Sequence, residues 1–212
     1  MEGKEEHIIA GARKIFVQKG IKTLTMDQIA KELRVSKKTI YVFFRNREML
    51  LNKAMEDYVM EERNAIHRII ENVQNPIQEF FEIIGRKVAI LKKLNVRFYK
   101  ELESYPKALS ILNNHLWGFI LKTLNENIVN GQKTGVYLDD LNPELIARIH
   151  LSKALSYINP DLFPPDKYSF AEVVMSDSST LMRGICTDKG LNEMKNIHYA
   201  FKAKIEQLAN QK

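Results

Sequence analysis

The chain has 212 residues, of which 45% are hydrophobic and 27% are charged, as is common for globular proteins that fold in water. No apolar run approaches the ~18 residues that span a membrane, and the acidic start lacks a signal-peptide core. We therefore expect a cytoplasmic protein without a membrane partner. The single cysteine, Cys186, excludes a disulfide within the chain.

The net charge of +6 is unevenly distributed along the sequence. Residues 1–51 contain 11 lysines and arginines against 6 acidic residues, so most of the surplus positive charge lies in this first part of the chain. A positive field of this kind attracts a polyanion such as DNA and speeds its encounter with the protein. A basic surface that is merely hydrated remains the alternative.

Helical periodicity recurs from one end of the chain to the other, and nothing in the pattern requires a β-sheet. The first predicted helix spans about 4–19 and ends at Gly20, a typical helix terminator. The second begins at Thr25, which together with Gln28 forms a capping box that satisfies two free backbone N–H groups. The third begins after Ser36, a favourable N-cap residue. We therefore predict an all-α protein.

The remainder of the sequence predicts a longer series of helices separated by turn residues. Asparagine or proline stands at the predicted start of several of them, as an N-cap or a first-turn residue. Three prolines within residues 159–166 predict an irregular connection, because proline ends helices. The predicted helices after the first three lie at about 47–73, 76–91, 95–103, 106–130, 143–158, 167–186 and 190–210. We therefore predict nine to ten helices in all.

A pair of capped helices whose second member carries lysines is typical of a helix-turn-helix module that reads the major groove of DNA. Only the first turn of the second helix reaches the base edges, where lysine and threonine can contact bases or phosphates. Taken singly, each of these side chains also fits a hydrated face, a cap or ordinary packing. The candidate DNA-binding residues are Thr25, Lys37, Lys38, Thr39, Tyr41, Arg45 and Arg47.

Residues 21–51, which contain these side chains, resemble the DNA-binding half of the tetracycline-repressor (TetR) family of bacterial regulators. The resemblance implies an N-terminal DNA-binding domain, residues 1–46, followed by a helical effector-binding and dimerisation domain, residues 47–212. The features that carry it are, in chain order, Ile29-Ala30, Val35-Ser36, Thr39-Ile40-Tyr41, Phe44 and Arg47-Glu48-Met49-Leu50.

Two positions depart from the pattern of that family. Arg34 stands in the turn between the second and third helices, where family members often have glycine. If this turn needs a left-handed backbone, arginine costs ~1 kcal/mol relative to glycine. Lys38 stands where glycine is frequent within the third helix, and it places a bulky cation at the groove. The DNA sequence recognised by other members is therefore not carried over to this chain.

For residues 47–212 the resemblance implies binding of a small-molecule effector and pairing of two subunits, while the composition alone shows neither. Large side chains in the middle helices can line an apolar pocket, which would suit an apolar effector better than a charged one, although such residues more often form ordinary core. The candidate pocket residues are Tyr58, Phe81, Phe98, Tyr99, His115 and Trp117. The candidate dimer-interface residues are Ile146, Ile149, Val173, Val174 and Leu181.

The sequence contains no recognisable motif for catalysis or metal binding. The five histidines form no metal-ligand spacing, and there is no glycine-rich phosphate loop or nucleophile elbow, so we expect no enzyme activity, cofactor or metal. We interpret the chain as a sequence-specific regulator of transcription, a ligand-responsive repressor that binds double-stranded DNA at a palindromic operator as a homodimer. A helical protein-interaction module and a lipid- or ligand-storage bundle remain the alternatives.

Overall fold

A computed structural model describes residues 2–91, 97–153 and 156–210 of the chain. The regular secondary structure of these residues is helical, with no β-strand among them, so the predicted all-α class is confirmed. None of the described helices is long and apolar enough to cross a membrane. The helices are α1 (Glu2–Lys19), α2 (Met26–Glu32), α3 (Lys37–Phe43), α4 (Arg47–Asn72), α5 (Pro76–Leu91), α6 (Phe98–Leu102), α7 (Pro106–Asn114), α8 (Leu121–Lys133), α9 (Pro143–Ser152), α10 (Phe170–Ile185) and α11 (Asp188–Asn210).

The predicted starts of the second and third helices are confirmed by their hydrogen bonds. The Thr25 hydroxyl accepts the N–H of Gln28 at 3.2 Å, and the Gln28 side chain accepts the N–H of Thr25 at 2.8 Å, so the capping box is complete. Ser36 caps α3 by accepting the N–H of Thr39 at 3.0 Å. Because these caps satisfy N–H groups that a helix leaves unpaired, they fix where α2 and α3 begin.

The turn between α2 and α3 is a Schellman motif, with Arg34 in the position that glycine usually occupies. The N–H of Val35 donates to the carbonyl of Ala30 at 3.0 Å, and the N–H of Arg34 donates to the carbonyl of Lys31 at 3.2 Å. Arg34 has a φ of +55°, the one positive φ of a non-glycine residue in the described part of the chain. The left-handed backbone considered for this turn is therefore present, together with the steric cost of a side chain there.

Contacts between helices divide the chain into two compact units. The first unit comprises Met1–Asn64 and Lys93–His115, and the second comprises Ala65–Lys92 and Leu116–Lys212. Helix α4 runs from the first unit into the second. The predicted boundary at residue 46 concerns the division of function between the two parts of the sequence, and it stays a prediction.

The first unit has an apolar core behind α2 and α3. Five of its large side chains are at most 1% exposed, namely Ile8 and Phe16 of α1, Ile29 of α2, Ile40 of α3 and Phe44, which follows α3. Burial of such side chains is the main stabilising contribution to a small helical unit. Because the apolar sides of these helices face inward, the opposite side of α3 faces water.

The second unit has a larger apolar core, formed by α5, α8, α9, α10 and α11. A buried polar group connects two of these helices, since the side-chain amide of Asn127 in α8 donates to the carbonyl of Pro76 at 2.9 Å and to Glu79 at 2.8 Å. Burial raises the pKa of Glu79. The ring of Tyr137 packs so closely on Gly131 that a Cβ at that position would overlap it.

Two predicted helices differ from the observed ones. The helix predicted at 143–158 ends earlier, at Ser152. Residues 154–155 lie outside the described residues, and a short 3-10 turn follows at Ser156–Ile158. The helix predicted at 106–130 continues to Lys133 but contains a π-helical turn at His115–Ile120, which side-chain periodicity does not reveal.

The other predicted boundaries agree with the structure to within a few residues. The predicted start of a helix near residue 95 lies outside the described residues, and α6 is seen from Phe98. Asn46 caps α4 by accepting the N–H of Met49 at 2.8 Å. Past α8, a single antiparallel bridge joins Tyr137 to Cys186 and holds the turn after α8 against the end of α10.

Candidate nucleic-acid interface

The outer face of α3 carries the exposed side chains of the candidate DNA-binding site. Lys37 and Lys38 are exposed on its first turn, and Tyr41 follows one turn later with 44% exposure. Val42, beside Tyr41, is 63% exposed although it is apolar. Sequence reasoning missed Val42, because its exposure depends on which side of a seven-residue helix is buried, and a valine there usually belongs to the core. An exposed apolar side chain on this helix can contact the methyl group of thymine.

Thr39 is turned toward its own cap more than the sequence suggested. Its hydroxyl lies 2.7 Å from the Ser36 hydroxyl, and its side chain is only partly exposed. A groove of about 450 Å³ runs beside it, lined by residues of α1, of the turn before α3 and of α3 itself, namely Gly3, Lys4, His7, Ile8, Val35 and Thr39. Lys4 and His7 therefore lie close to α3. The sequence does not indicate this proximity, because only tertiary packing brings α1 alongside α3.

Lys37 is held by an acidic side chain of the preceding helix. Its Nζ lies 2.6 Å from an oxygen of Asp27 in the first turn of α2, and 5.9 Å from the centre of the Tyr41 ring. The hydrogen bond to Asp27 raises the pKa of Lys37, so this lysine carries its positive charge at neutral pH. The first turn of α3 thus carries two positive charges, Lys37 and Lys38, and that of Lys37 is paired within the protein.

Arg45 and Arg47, predicted together as DNA contacts, have different surroundings. Arg45 is exposed in the bend between α3 and α4. Arg47 is only partly exposed, and its guanidinium donates to the Leu24 carbonyl at 2.5 Å and to the Tyr105 hydroxyl at 2.6 Å. Arg47 therefore has a structural task within the first unit, and its predicted contact with DNA stays a prediction. Thr25 is exposed, but its hydroxyl is engaged in the capping box.

The six candidate effector-pocket residues are divided between the two units. Tyr58, Phe98, Tyr99 and His115 belong to the first unit, whereas Phe81 and Trp117 belong to the second. Burial lowers the pKa of His115 to about 4, with the Arg63 charge acting in the same direction, so this histidine is neutral at physiological pH. Burial raises the pKa of Tyr99 to about 12.

Within the second unit, the two candidate pocket residues have opposite environments. Phe81 is 1% exposed and contacts the ring of Phe201 at a centroid distance of 5.1 Å, so it is part of the core. Trp117 is 45% exposed in the π-helical turn. The assignment of these side chains to an effector pocket stays a prediction.

The candidate dimer-interface residues are exposed to different extents. Val173 and Val174 are buried in the core of the second unit, and Ile146 and Leu181 pack against that core while remaining partly exposed. Ile149 is 49% exposed on α9, where Leu145 is 55% exposed one turn earlier. Leu145 was missed because a residue in the first turn of a helix reads as part of the cap.

A cluster of polar side chains around Asp177 was not predicted from the sequence. The Asp177 carboxylate lies 2.5 Å from Lys153 Nζ, accepts the Tyr157 hydroxyl at 2.6 Å, and lies 3.3 Å from His150 Nδ1. Burial alone would raise the pKa of Asp177, but these contacts hold that pKa well below its usual range. Burial lowers the pKa of His150. Asp177 lies in α10, whereas His150, Lys153 and Tyr157 lie at and just after the end of α9, so no sequence spacing indicates that Asp177 joins them.

The described residues contain no group of three or more histidine, cysteine, aspartate or glutamate side chains placed to hold a metal ion. Cys186 is buried at the end of α10, and burial raises the pKa of its thiol to about 11. A thiol in this state is protonated at neutral pH and reacts slowly, since the thiolate is the reactive form. A role for Cys186 as a redox sensor is therefore disfavoured.

Known proteins with similar sequences include HTH-type transcriptional regulators. A family model described as bacterial regulatory proteins, tetR family, matches residues 8–54. The chain is 23% identical over 190 residues to the uncharacterized HTH-type transcriptional regulator YvaF of Bacillus subtilis (strain 168), and this match covers 87% of this chain and 97% of YvaF. It is 23% identical over 127 residues to IcaR of Staphylococcus epidermidis, the HTH-type negative transcriptional regulator of the biofilm operon icaADBC, with 59% of this chain and 67% of IcaR covered.

A similar fold occurs in a solved transcriptional regulator from Saccharomonospora viridis in complex with choline. The two structures match with a TM-score of 0.72 at 18% sequence identity, covering 88% of this chain and 100% of that one. At this level of identity the likeness concerns the fold.

Proposed function

This chain belongs to the TetR family of bacterial regulatory proteins and is a DNA-binding regulator of transcription, and we propose that it acts as a ligand-responsive repressor. The repressor would bind a palindromic operator as a homodimer and release it when a small molecule binds the helical body. The observation that carries the proposal is the outward face of α3, where Lys38, Tyr41 and Val42 are exposed while Ile40 is buried.

The geometry of α2 and α3 supports insertion of α3 into the major groove. Both helices begin at side-chain caps and are joined by a closed turn, so α3 is held at a fixed position relative to α2. The first turn of α3 presents Lys37 and Lys38, which can reach guanine acceptors or phosphates. The surplus of positive charge in residues 1–51 supports binding to the DNA backbone.

The proposed homodimer follows from the geometry of DNA. One module contacts one half-site, and two modules must lie about 34 Å apart to read successive turns of one face of the duplex. The exposed apolar side chains of α9, Leu145 and Ile149, together with the partly exposed Ile146 and Leu181, support a contact surface there. Sedimentation would then give a particle of twice the 24.6 kDa chain mass.

The proposed effector is a small molecule that is more apolar than charged. Aromatic side chains predicted to line its site, such as Tyr58, Phe98 and Tyr99, offer large apolar surfaces. The choline bound to the structurally similar regulator from S. viridis supports a small-molecule role for this fold, and the negative role of IcaR supports repression. The effector would release DNA by favouring dimers whose recognition helices no longer fit successive half-sites.

Selection of bound sequences from a random pool of DNA duplexes tests the proposal. We expect recovery of one motif with two-fold symmetry and half-sites one helical turn apart. On the selected duplex, Lys38→Ala should weaken binding about tenfold or more, because a base or phosphate contact is lost. Lys107→Ala, which removes another exposed lysine of the first unit, should leave the affinity unchanged.

Three outcomes would contradict the proposal in whole or in part. Recovery of no enriched motif would exclude sequence-specific binding, and equal losses in both lysine variants would mean that charge alone attracts DNA. An enriched motif without symmetry, bound by a protein of single-chain mass, would retain DNA recognition but remove the homodimer.

A further inference from the structure

The two lysines at the tip of α3 differ in their electrostatic state. Lys37 is paired with Asp27 across the turn, with 2.6 Å between Nζ and Oδ1, whereas Lys38 is exposed and has no ion-pair partner among the described residues. The pair joins the first turn of α2 to the first residue of α3, so Asp27 lies on the same side of the module as the lysines.

The pair contributes little to folding. Both side chains are more than half exposed, at 54% for Lys37 and 62% for Asp27, and solvent screens such a contact. The position of Lys37 at the start of α3 is also unfavourable for a cation, because the helix dipole is positive there. The effect of Asp27 is therefore expected to be largest when another anion competes for Lys37.

DNA is such a competitor, and the outcome depends on which group of the DNA is offered. If Lys37 turns to a phosphate, it exchanges its contact with the Asp27 carboxylate for a contact with another anion. The phosphate charge then also lies close to Asp27 and repels it, so the net gain in binding free energy is small. A guanine edge offers two acceptors, N7 and O6, without a formal charge, so Asp27 does not repel it in the same way. Asp27 thus weakens phosphate-only complexes more than complexes with the correct base.

We propose that Asp27 is a specificity-determining residue, which holds Lys37 away from the DNA backbone until a matching base edge is present. This inference rests on the proposed DNA-binding function. It adds that the negative charge of Asp27 is needed to distinguish the operator from other duplexes. Arrangements that reject wrong partners by repulsion are a general means of specificity. Tyr41, whose ring lies beside the Lys37 ammonium, limits the positions that the lysine can take when it leaves Asp27.

The test compares Asp27→Asn with Glu32→Gln in the full-length protein. Glu32 also belongs to α2 and forms an exposed ion pair, with Lys19 Nζ at 2.5 Å, so both variants change the net charge by the same amount. Affinities are measured for the selected operator and for a scrambled duplex of the same composition, over a range of salt concentrations. Unfolding by urea verifies that each variant is folded.

We expect Asp27→Asn to tighten binding to the scrambled duplex by about threefold to fivefold, the size of one exposed charge contact, and to improve operator binding less. The salt dependence of binding to the scrambled duplex should steepen by about 0.9 in the logarithmic slope, as one more phosphate is neutralised. Glu32→Gln should show neither change. In a Lys37→Ala background, Asp27→Asn should no longer alter the ratio of the two affinities.

Several results would overturn the inference. Equal effects of Asp27→Asn and Glu32→Gln would reduce it to a general effect of charge, and a full effect in the Lys37→Ala background would show that Lys37 is not involved. An improvement of operator and scrambled binding by the same factor would remove the claim of specificity. If the wild-type protein binds no duplex, the proposed function itself fails, which is a separate and recognisable outcome.

Discussion

The carboxylate of Glu101 accepts the backbone N–H of Ile21 at 2.5 Å, and the same oxygen accepts the N–H of Lys22 at 3.0 Å. Glu101 belongs to α6, whereas the two N–H groups belong to the loop between α1 and α2, so residues 80 positions apart are joined at one point. Gly20 precedes this loop with a φ of +85° and leaves the carboxylate room to approach. The loop before the helix-turn-helix is therefore held by a helix that follows much later in the chain.

Replacement of Glu101 by alanine should destabilise the first unit. Two backbone N–H groups would lose their acceptor, and we expect a loss of about 1–2 kcal/mol in the free energy of unfolding. Urea denaturation measures this loss, and hydrogen exchange should show faster exchange of the Ile21 and Lys22 amides. Glu103→Ala serves as the control, because Glu103 is exposed and lies just after the end of α6. Unchanged exchange at Ile21 in Glu101→Ala would contradict the assigned contact.

Arg47 should tolerate lysine poorly although the charge is retained. Its guanidinium donates to the Leu24 carbonyl and the Tyr105 hydroxyl at once, and the ammonium of lysine lacks this planar fork. We expect Arg47→Lys to lower the free energy of unfolding by roughly 1–2 kcal/mol, as two charge-assisted hydrogen bonds are weakened. Arg45→Lys, at an exposed position nearby, should leave stability unchanged.

Variants of Arg45 and Arg47 distinguish a structural role from a DNA-binding role. Arg45→Ala is expected to weaken binding to the selected operator without affecting the urea midpoint. If Arg47→Lys is fully stable and only its affinity for DNA falls, then Arg47 acts mainly on the duplex and its contacts within the protein are of minor importance.

Arg34 offers a site where stability can be increased. Its φ of +55° places a side chain in a backbone region where glycine is unstrained, so Arg34→Gly should raise the free energy of unfolding by ~1 kcal/mol. Arg34→Ala removes the charge but retains the Cβ, and it should give no such increase. A gain of equal size in both variants would trace the effect to the guanidinium and not to the backbone. The midpoint of thermal or urea unfolding provides the measurement.

Lys87 should make the stability of the protein rise at alkaline pH. Burial lowers its pKa from 10.5 to about 8 in the folded protein, and its ammonium lies 5.0 Å from the centre of the Tyr157 ring. Between pH 8 and 10.5 the unfolded chain binds a proton that the folded protein has released, so the free energy of unfolding increases with pH across this window. At neutral pH the partly desolvated ammonium of Lys87 therefore lowers the free energy of unfolding.

Comparison with Lys87→Met isolates this contribution. The variant should be more stable than the wild type near pH 7, and the difference should shrink as pH approaches 10, when measured by urea denaturation at each pH. The contributions of groups that lie away from residue 87 cancel in this comparison, so the difference between the two proteins is the informative quantity. Parallel curves for the two proteins would show that Lys87 is solvated.

The features that sequence predicts well in this chain are those governed by neighbouring residues. Thr25, Gln28 and Ser36 specify their caps within three residues. The left-handed backbone at Arg34 was considered only because members of the family that the sequence resembles often have glycine there. The exposure of Lys37 and Lys38 follows from helical periodicity. These features position α3, so the main elements of the candidate DNA-binding site could be anticipated.

The features that sequence does not predict here depend on residues far apart in the chain. Nothing near Arg47 indicates that Tyr105 accepts its hydrogen bond, and nothing near Asp177 indicates that Lys153 and Tyr157 surround it. The partner of Lys37 was missed for a related reason, since Asp27 reads as a first-turn residue of α2 until the angle between the helices is known. Side-chain partners of this kind are set by tertiary packing, which periodicity does not describe.

The bridge between Tyr137 and Cys186 places the single sulfhydryl of the chain in a closed corner between the end of α8 and the end of α10. A reagent that alkylates thiols can reach it only after this corner has opened. The rate of alkylation therefore reports how often the second unit opens at this point, without any added probe. Measured with and without a candidate effector, that rate gives a direct assay of whether the small molecule tightens or loosens the helical body.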